Sequence, residues 1–530
     1  MKEYHVYGPP GTGKTRRAEQ DVVRAAEKFG KDQVLVTAFT RAAAAELIDR
    51  DLDIPKRNVG TLHSICYRAL DRPILAETKT AEFNELHPNF AVASAKVNVE
   101  EGKIEAGQTN GQSNLLQTYQ LHRARMTPRD AWPSEAVRNF AKLWESWKKD
   151  TGYYDFTDLI QAALDTMPFA PGRPKVGIVD EAQDLTALEC ALVRSWGIAM
   201  EYLILIGDDD QCIFEFTGAS AANMVGAALP REHKRFLTKS HRLPRRIWEY
   251  ARAISARIEQ RQEKEFEHNG TEGSVHTASC GDWRRPEAIA DDMEARLEIG
   301  ERIMVLGSCG YMLVPLIREL RRRGLPFHNP YRVTRGDWNP INRAAGSTMN
   351  RIAAFLNGAE NVVPSWSVGQ MVMWTDLVKA KHLLKHGGKK RLEKMNDESP
   401  ARLLGYHDWL ELFEEDPWGW DPCTLDWLKE NALPSKLKQM EYPMTVVEKH
   451  GLQTLLDRPR IVVGTIHSVK GGEADTVYVF PDLSTQGSLR ALDAESDHTM
   501  RLFYVAASRA RHNLVLCRPA GPYFARLPDA

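Results

Sequence analysis

Short apolar runs recur along the chain, and most are separated by stretches whose apolar residues fall at helical spacing. Tyr4–Tyr7, Val34–Ala38, Val176–Val179, Leu203–Ile206, Met304–Leu306, Ile461–Val463, Val477–Phe480 and Leu514–Cys517 are apolar at nearly every position instead of at alternate ones. Such runs predict strands buried on both faces, as in a parallel sheet. A helix is predicted from Arg16 to Phe29, with Ala18, Val22, Ala25, Ala26 and Phe29 on one side and Gly30 as its stop. Another carries Leu313, Leu316, Ile317 and Leu320 and ends at Gly324. Strands alternating with helices predict doubly wound α/β layers.

The strands form two groups, one within residues 1–71 and 151–249, the other within 250–330 and 455–530. Residues 72–150, polar and mixed, interrupt the first group. Residues 331–454, rich in Trp and Lys with helix-length patterns, interrupt the second. Each interruption is too long for a loop of a compact domain. The fold expected is therefore two parallel-sheet α/β cores, each with a mainly helical inserted subdomain.

Lys and Arg number 70 against 71 Asp and Glu, so the net charge of -1 leaves only local basic grooves as an argument for nucleic-acid binding. Apolar residues at 43% and charged residues at 27% are globular proportions and exclude a wholly disordered, collagenous or disulfide-scaffold chain. No apolar run is long enough for a transmembrane helix, and the first residues lack the apolar segment of a secretory signal. The cysteines are scattered without a C-x-x-C pair, which argues against a metal cluster and for a reduced, cytoplasmic setting.

Gly8-Pro-Pro-Gly-Thr-Gly-Lys-Thr15 follows the first strand at once and precedes a helix. This is a complete phosphate-binding loop in its required context. Gly11, Thr12 and Gly13 let backbone N–H groups converge on phosphate oxygens, and the helix N-terminus adds the positive end of its dipole. Lys14 reaches the β/γ-phosphates, and Thr15 offers a hydroxyl to Mg²⁺. A phosphate loop also needs an acid at a nearby strand end. Val176-Gly-Ile-Val-Asp180-Glu181 supplies Asp180 for Mg²⁺ and Glu181 to polarise water. The pair points to hydrolysis of a nucleoside triphosphate, ATP foremost.

Asp180-Glu-Ala-Gln-Asp184 resembles the Asp-Glu-x-Gln-Asp box of superfamily 1A DNA helicases, the UvrD/PcrA/Rep type. Further segments match that family in order. Val34–Leu47 resembles motif Ia, Val59–Cys66 motif Ib, Ile206–Ala219 motif III, Ser240–Arg246 part of motif IV, Gly464–Glu473 motif V and Tyr504–Ala510 motif VI. The resemblance implies two RecA-like cores, 1A (1–71 and 151–249) and 2A (250–330 and 455–530), with inserted subdomains 1B (72–150) and 2B (331–454). It implies ATP in the cleft between the cores. Gln211 then faces the γ-phosphate from core 1A, Arg242 and Arg509 reach it from across the cleft, and Glu473 contacts the ribose. A guanidinium suits a charge-dispersed phosphoryl transition state.

On the DNA side, Phe39, Phe214 and Phe216 each follow a strand end. An isolated Phe there is usually a core residue. In the family, the position of Phe216 carries a Trp on which a base stacks, and Phe39 matches an aromatic along the strand. His467 matches a backbone-contacting position, or is simply a satisfied loop histidine. The basic stretch Lys379–Arg391 reads either as a duplex contact or as a solvated helix and loop, and Arg321–Arg323 as a helix end with no assigned function.

The sequence also departs from the family. Only seven residues precede Gly8, so the upstream adenine-reading glutamine segment is not expected. His241 stands where the family has Tyr, and Arg16 is left to stack on the base. Looser adenine recognition is expected. Phe216 replaces Trp, and Thr217 replaces the Arg that commonly follows. The expected activity is an ATP- and Mg²⁺-dependent DNA helicase or translocase moving 3′ to 5′, the alternative being a DNA-stimulated ATPase that remodels protein–DNA complexes without strand separation. The expected partners are single-stranded and tailed duplex DNA, with room for a loading or repair protein and no membrane. The origin expected is bacterial or phage. A nuclease domain is not expected in the 21 residues after Arg509.

Overall fold

The computed structural model describes residues 2–38, 54–93, 95–98, 103–106, 115–225, 229–278, 281–333, 335–359, 365–379, 381, 383–414, 424–484 and 496–529. Phe39, and with it most of the motif Ia segment, lies outside the described residues. The strands are β1 (Lys2–Tyr7), β2 (Val34–Ala38), β3 (Val59–Gly60), β4 (Ala95–Asn98), β5 (Lys103–Ala106), β6 (Val176–Asp180), β7 (Tyr202–Gly207), β8 (Lys234–Phe236), β9 (Ser274–Thr277), β10 (Ile303–Gly307), β11 (Phe327–His328), β12 (Ile461–Thr465), β13 (Ala474–Val479) and β14 (Ala510–Leu516). They build two RecA-like six-stranded sheets and a small hairpin.

The first sheet has the order β3-β2-β6-β7-β1-β8. Its pairs are parallel, with Tyr7 opposite Gly207 and Ala38 opposite Asp180. The carboxyl ends of β1, β6 and β7 therefore open on one edge, where ligands of open α/β sheets bind. Consecutive apolar residues serve both faces. Val6, Val34, Val36 and Ile178 pack with Ala18, Val22 and Ala25 of the helix Lys14–Phe29. Tyr7, Leu35 and Val179 pack on the other face with Ile65, Leu159 and Leu192. The insertion carries the antiparallel hairpin β4–β5 and helices Thr80–Leu86, Leu115–Ala124 and Glu135–Thr151 around an aromatic core of Phe83, Tyr119, Phe140, Trp144 and Trp147.

Under that core lies a charged knot. Lys148 bonds both Asp155 and Asp158, and Arg123 reaches Asp158 at 2.6 Å. Asp155 and Asp158 form the capping box of the helix Phe156–Thr166. Glu77, fully buried, accepts from the Phe156 N–H at 2.9 Å and from Gln120 at 2.8 Å. Burial, then the Asp155 charge, push its carboxyl up to about 8.

The second sheet has the order β11-β12-β10-β13-β14-β9, with β11–β12, β12–β10 and β10–β13 parallel. Its core continues into the Trp-rich insertion, where Trp338, Trp366, Trp374 and Trp409 are buried. Helices Thr348–Ala359, Val368–Thr375, Gly388–Glu398 and Pro434–Leu456 are the longest described helices of that insertion. The described chain divides into two compact units, residues 1–275 with 485–513 and 525–530, and residues 276–484 with 514–524. The helix Asp497–Ala507 packs on the helix Arg245–Ser255 and so joins the first unit. No described helix is long and apolar enough to cross a membrane.

Candidate nucleotide site

β1 leads directly into the phosphate loop. The Gly8 N–H donates to the Gly207 carbonyl at 2.9 Å, tying the loop to the end of β7. Gly11 (φ +73°) and Gly13 (φ +83°) occupy the left-handed region, and Gly13 caps the helix Lys14–Phe29. At Gly11 a Cβ would stand 2.4 Å from the Arg242 Cβ, so the loop admits no side chain there. Thr12 donates through its N–H (3.2 Å) and its hydroxyl (2.7 Å) to the Pro9 carbonyl, which closes the turn. Lys14 Nζ bonds the Gly8 carbonyl at 2.8 Å, and Thr15 sits in the first helical turn. The first N–H groups of that helix have no partner within it, which makes an anion site.

β6 carries the acids. Asp180 is 1% exposed and accepts from the Glu181 N–H at 3.0 Å. Glu181 has φ +54°. For a residue with a side chain this costs about 1–2 kcal/mol, and such strain concentrates at functional positions. Gln183, fully buried, donates through Nε2 to the Glu181 carboxylate, and its Oε1 accepts the Asp208 N–H at 3.0 Å. Sequence reasoning missed Gln183, although it stands inside the acidic box.

The loop after β7 buries Asp208, Asp209 and Asp210. Lys264, also buried, lies 3.1, 2.5 and 3.0 Å from them in turn. Arg261 grips Asp210 through both its Nε (3.0 Å) and its terminal nitrogen (2.6 Å). Burial works against the Asp208 charge, but Lys264 and then Lys14 hold its carboxyl below the usual range. Burial raises Asp209 to about 6, with Lys264 opposing and the neighbouring aspartates assisting. Gln211 donates to Asp208 Oδ2 at 2.7 Å and accepts from Arg509 at 2.9 Å.

Arg509 is 2% exposed and is held by the Val505 carbonyl (2.9 Å) and the Ser508 hydroxyl (3.0 Å) as well as by Gln211. Arg509 directly precedes β14 of the second sheet and lies in the first compact unit beside Gln211. Arg242 is set over the phosphate loop by its neighbours. Ser240 donates its hydroxyl to the Pro10 carbonyl at 2.8 Å, and the His241 N–H donates to the Gly11 carbonyl at 2.8 Å. His241 and Arg16 are both exposed.

Residues 1–229 match the UvrD/REP helicase N-terminal domain, and residues 460–517 match the UvrD-like helicase C-terminal domain. The chain belongs to the UvrD-like helicase family. YjcD of Bacillus subtilis is 22% identical over 96% of this chain and 76% of its own length. The ATP-dependent DNA helicase PcrA of Leuconostoc citreum is 22% identical over 96% of this chain and 78% of its own. The ATP-dependent DNA helicase UvrD1 of Mycobacterium tuberculosis is 25% identical over 55% of this chain, which spans 42% of that protein.

The first matched segment of this UvrD-like chain holds the phosphate loop, Asp180, Glu181, Gln211 and Phe216, and the second holds His467, Glu473 and Arg509. Phe214 is buried at 6% exposure, whereas Phe216 is 53% exposed, with ring centroids 5.9 Å apart. His467 and Glu473 lie on the segment after β12 in the second unit, where Thr465 caps a short turn by accepting from the Ser468 N–H at 3.3 Å. Part of the Lys379–Arg391 stretch is engaged locally. Lys385 bonds the Leu410 carbonyl at 2.6 Å, and Lys389 pairs with Asp376 at 2.7 Å. Arg323 pairs with Glu319, Asp291 and Glu294, each at 2.6 Å.

Proposed function

We propose that this chain is an ATP-driven DNA motor that moves 3′ to 5′ along a single strand and unwinds duplex ahead of it. One observation carries the reading. A continuous line of polar contacts runs from Glu181 through Gln183, Asp208 and Gln211 to Arg509, at the sheet edge that also bears the phosphate loop. Relatives named as ATP-dependent DNA helicases match over half or more of this chain.

In this reading the loop N–H groups and Lys14 hold the triphosphate. Glu181 polarises the attacking water. Gln211 senses the γ-phosphate, and Arg242 and Arg509 disperse charge on the transferring phosphoryl group. The oxygen donors of Thr15 and Asp180 suit Mg²⁺, a hard ion that prefers hydroxyl, carboxylate and phosphate oxygens. Bound there, Mg²⁺ would offset phosphate charge. Arg16 and His241, both exposed beside the loop, flank the base, and Glu473 reaches the ribose. Phe39, Phe216 and His467 contact the strand, with Phe216 offering a sequence-indifferent stacking face. The setting is cytoplasmic.

Strand displacement on tailed duplexes tests this. The 3′-tailed substrate is expected to unwind with ATP and the 5′-tailed one to stay intact. ATP hydrolysis without displacement of either would support a translocase that remodels protein–DNA complexes, and a 5′ preference would overturn the polarity.

A further inference from the structure

Lys264 lies outside every motif read from the sequence, yet its ammonium is among the most deeply buried charges of the first unit, with its side chain 2% exposed. We infer that Lys264 is a positioning residue for ATP hydrolysis, acting through Asp208 to set the side chains of Gln183 and Gln211. The inference rests on the ATPase reading above and assigns that reaction a residue outside the motifs.

Asp208 is the hub. Its N–H donates to Gln183 Oε1 at 3.0 Å, its Oδ2 accepts from Gln211 Nε2 at 2.7 Å, and its Oδ1 stands 3.1 Å from the Lys264 ammonium. Each glutamine amide is thereby oriented by chemistry. Gln183 meets a carboxylate on its nitrogen side and an N–H on its oxygen side. Gln211 likewise meets a carboxylate and a guanidinium. Carboxylates only accept and guanidinium groups only donate, so neither amide can flip without losing both bonds. Asp208 thus connects the group that faces water to the group that faces the γ-phosphate.

Holding Asp208 as a carboxylate inside the protein needs a cation, because an unpaired buried charge neutralises or moves. Arg261 has its fork committed to Asp210. Lys264 reaches all three aspartates, and Asp209 is further tied by the Gln262 N–H at 2.7 Å. Without the ammonium, Asp208 either takes a proton or turns toward Arg261. Protonation weakens the acceptor that fixes Gln211, and turning away removes it.

The test compares the full-length parent with Lys264→Met, Lys264→Arg and Asp208→Asn. ATP turnover is measured with and without single-stranded DNA, and binding of a fluorescent ATP analogue and thermal unfolding are measured alongside. Lys264→Met is expected to lose about tenfold or more in kcat while its nucleotide affinity stays within about threefold. Lys264→Arg should recover part of the rate. Asp208→Asn keeps Lys264 balanced by the other two aspartates, so it reports on the hub even if Lys264→Met fails to fold. It should show the same split between kcat and binding. A parent-like kcat in Asp208→Asn or in a folded Lys264→Met would overturn the inference and leave the ATPase reading standing. A parent that binds ATP but never hydrolyses it would remove both.

Discussion

Replacing Arg509 with Ala separates chemistry from binding. The side chain is 2% exposed, and its guanidinium bonds Gln211 Oε1 at 2.9 Å, Ser508 Oγ at 3.0 Å and the Val505 carbonyl at 2.9 Å. Truncation leaves the buried Gln211 oxygen without that donor, a cost of about 1–3 kcal/mol that appears as lowered thermal stability. The rate effect is separate and larger. An arginine that disperses phosphoryl charge is worth roughly 10³–10⁵ in rate. Arg242 shares the role, so a loss of about 10² or more is expected in DNA-stimulated kcat. ATP affinity should stay within about tenfold, because the contact acts mainly on the transition state. The assay is steady-state turnover at saturating single-stranded DNA for the parent, Arg509→Ala, Gln211→Ala and the double variant. Two side chains in direct contact should couple by about 0.5–3 kcal/mol, leaving the double variant less impaired than the product of the singles. Strict additivity, or an unchanged maximal rate with a raised DNA requirement, would refute the reasoning and make Arg509 a DNA contact.

Lys14→Ala should abolish turnover with little change in unfolding temperature, and Glu181→Gln should bind ATP but hydrolyse it very slowly; phosphate release and nucleotide binding read both. Phe216→Ala removes a ring that is 53% exposed, so stability should hold, while single-strand binding measured by fluorescence anisotropy should weaken by about 1–3 kcal/mol. Glu77, whose carboxyl is raised to about 8, favours the folded state when protonated. Its contribution is full below the ordinary value of 4.5 and is lost as pH rises toward 8, so Glu77→Gln should gain on the parent in unfolding temperature between pH 5 and pH 8. A constant difference across that range would show that Glu77 does not titrate there.

The central strands were legible because burial on both faces forces apolar residues at consecutive positions, as in Val34–Ala38 and Leu203–Ile206. The short strands were not. Lys234–Phe236 carries two cations and joins the sheet through its register with β1, a long-range pairing that leaves no local pattern. β14 begins at Ala510 with the polar residues Arg511 to Asn513, ahead of the apolar run that announces it. The helix after the phosphate loop starts at Lys14, two residues before Arg16, because the left-handed Gly13 caps it. In the site, the phosphate loop and the acids are legible because their spacing is local. Gln183 and Lys264 are not, because their meaning lies in which carboxylates they meet, and Lys264 is 55 residues from Asp209 in the chain. The direct bond between Arg509 and Gln211 depends on how the helix Asp497–Ala507 packs, whereas the motifs imply only that both side chains reach the γ-phosphate.

The most direct test of the central claim is the rate of ATP hydrolysis by the purified chain with and without single-stranded DNA, run beside Glu181→Gln under the same conditions. The account predicts slow basal turnover in the parent, stimulated by about tenfold or more when DNA is added, and almost none in the variant under either condition. Turnover indifferent to DNA, or equal in the parent and Glu181→Gln, would contradict it.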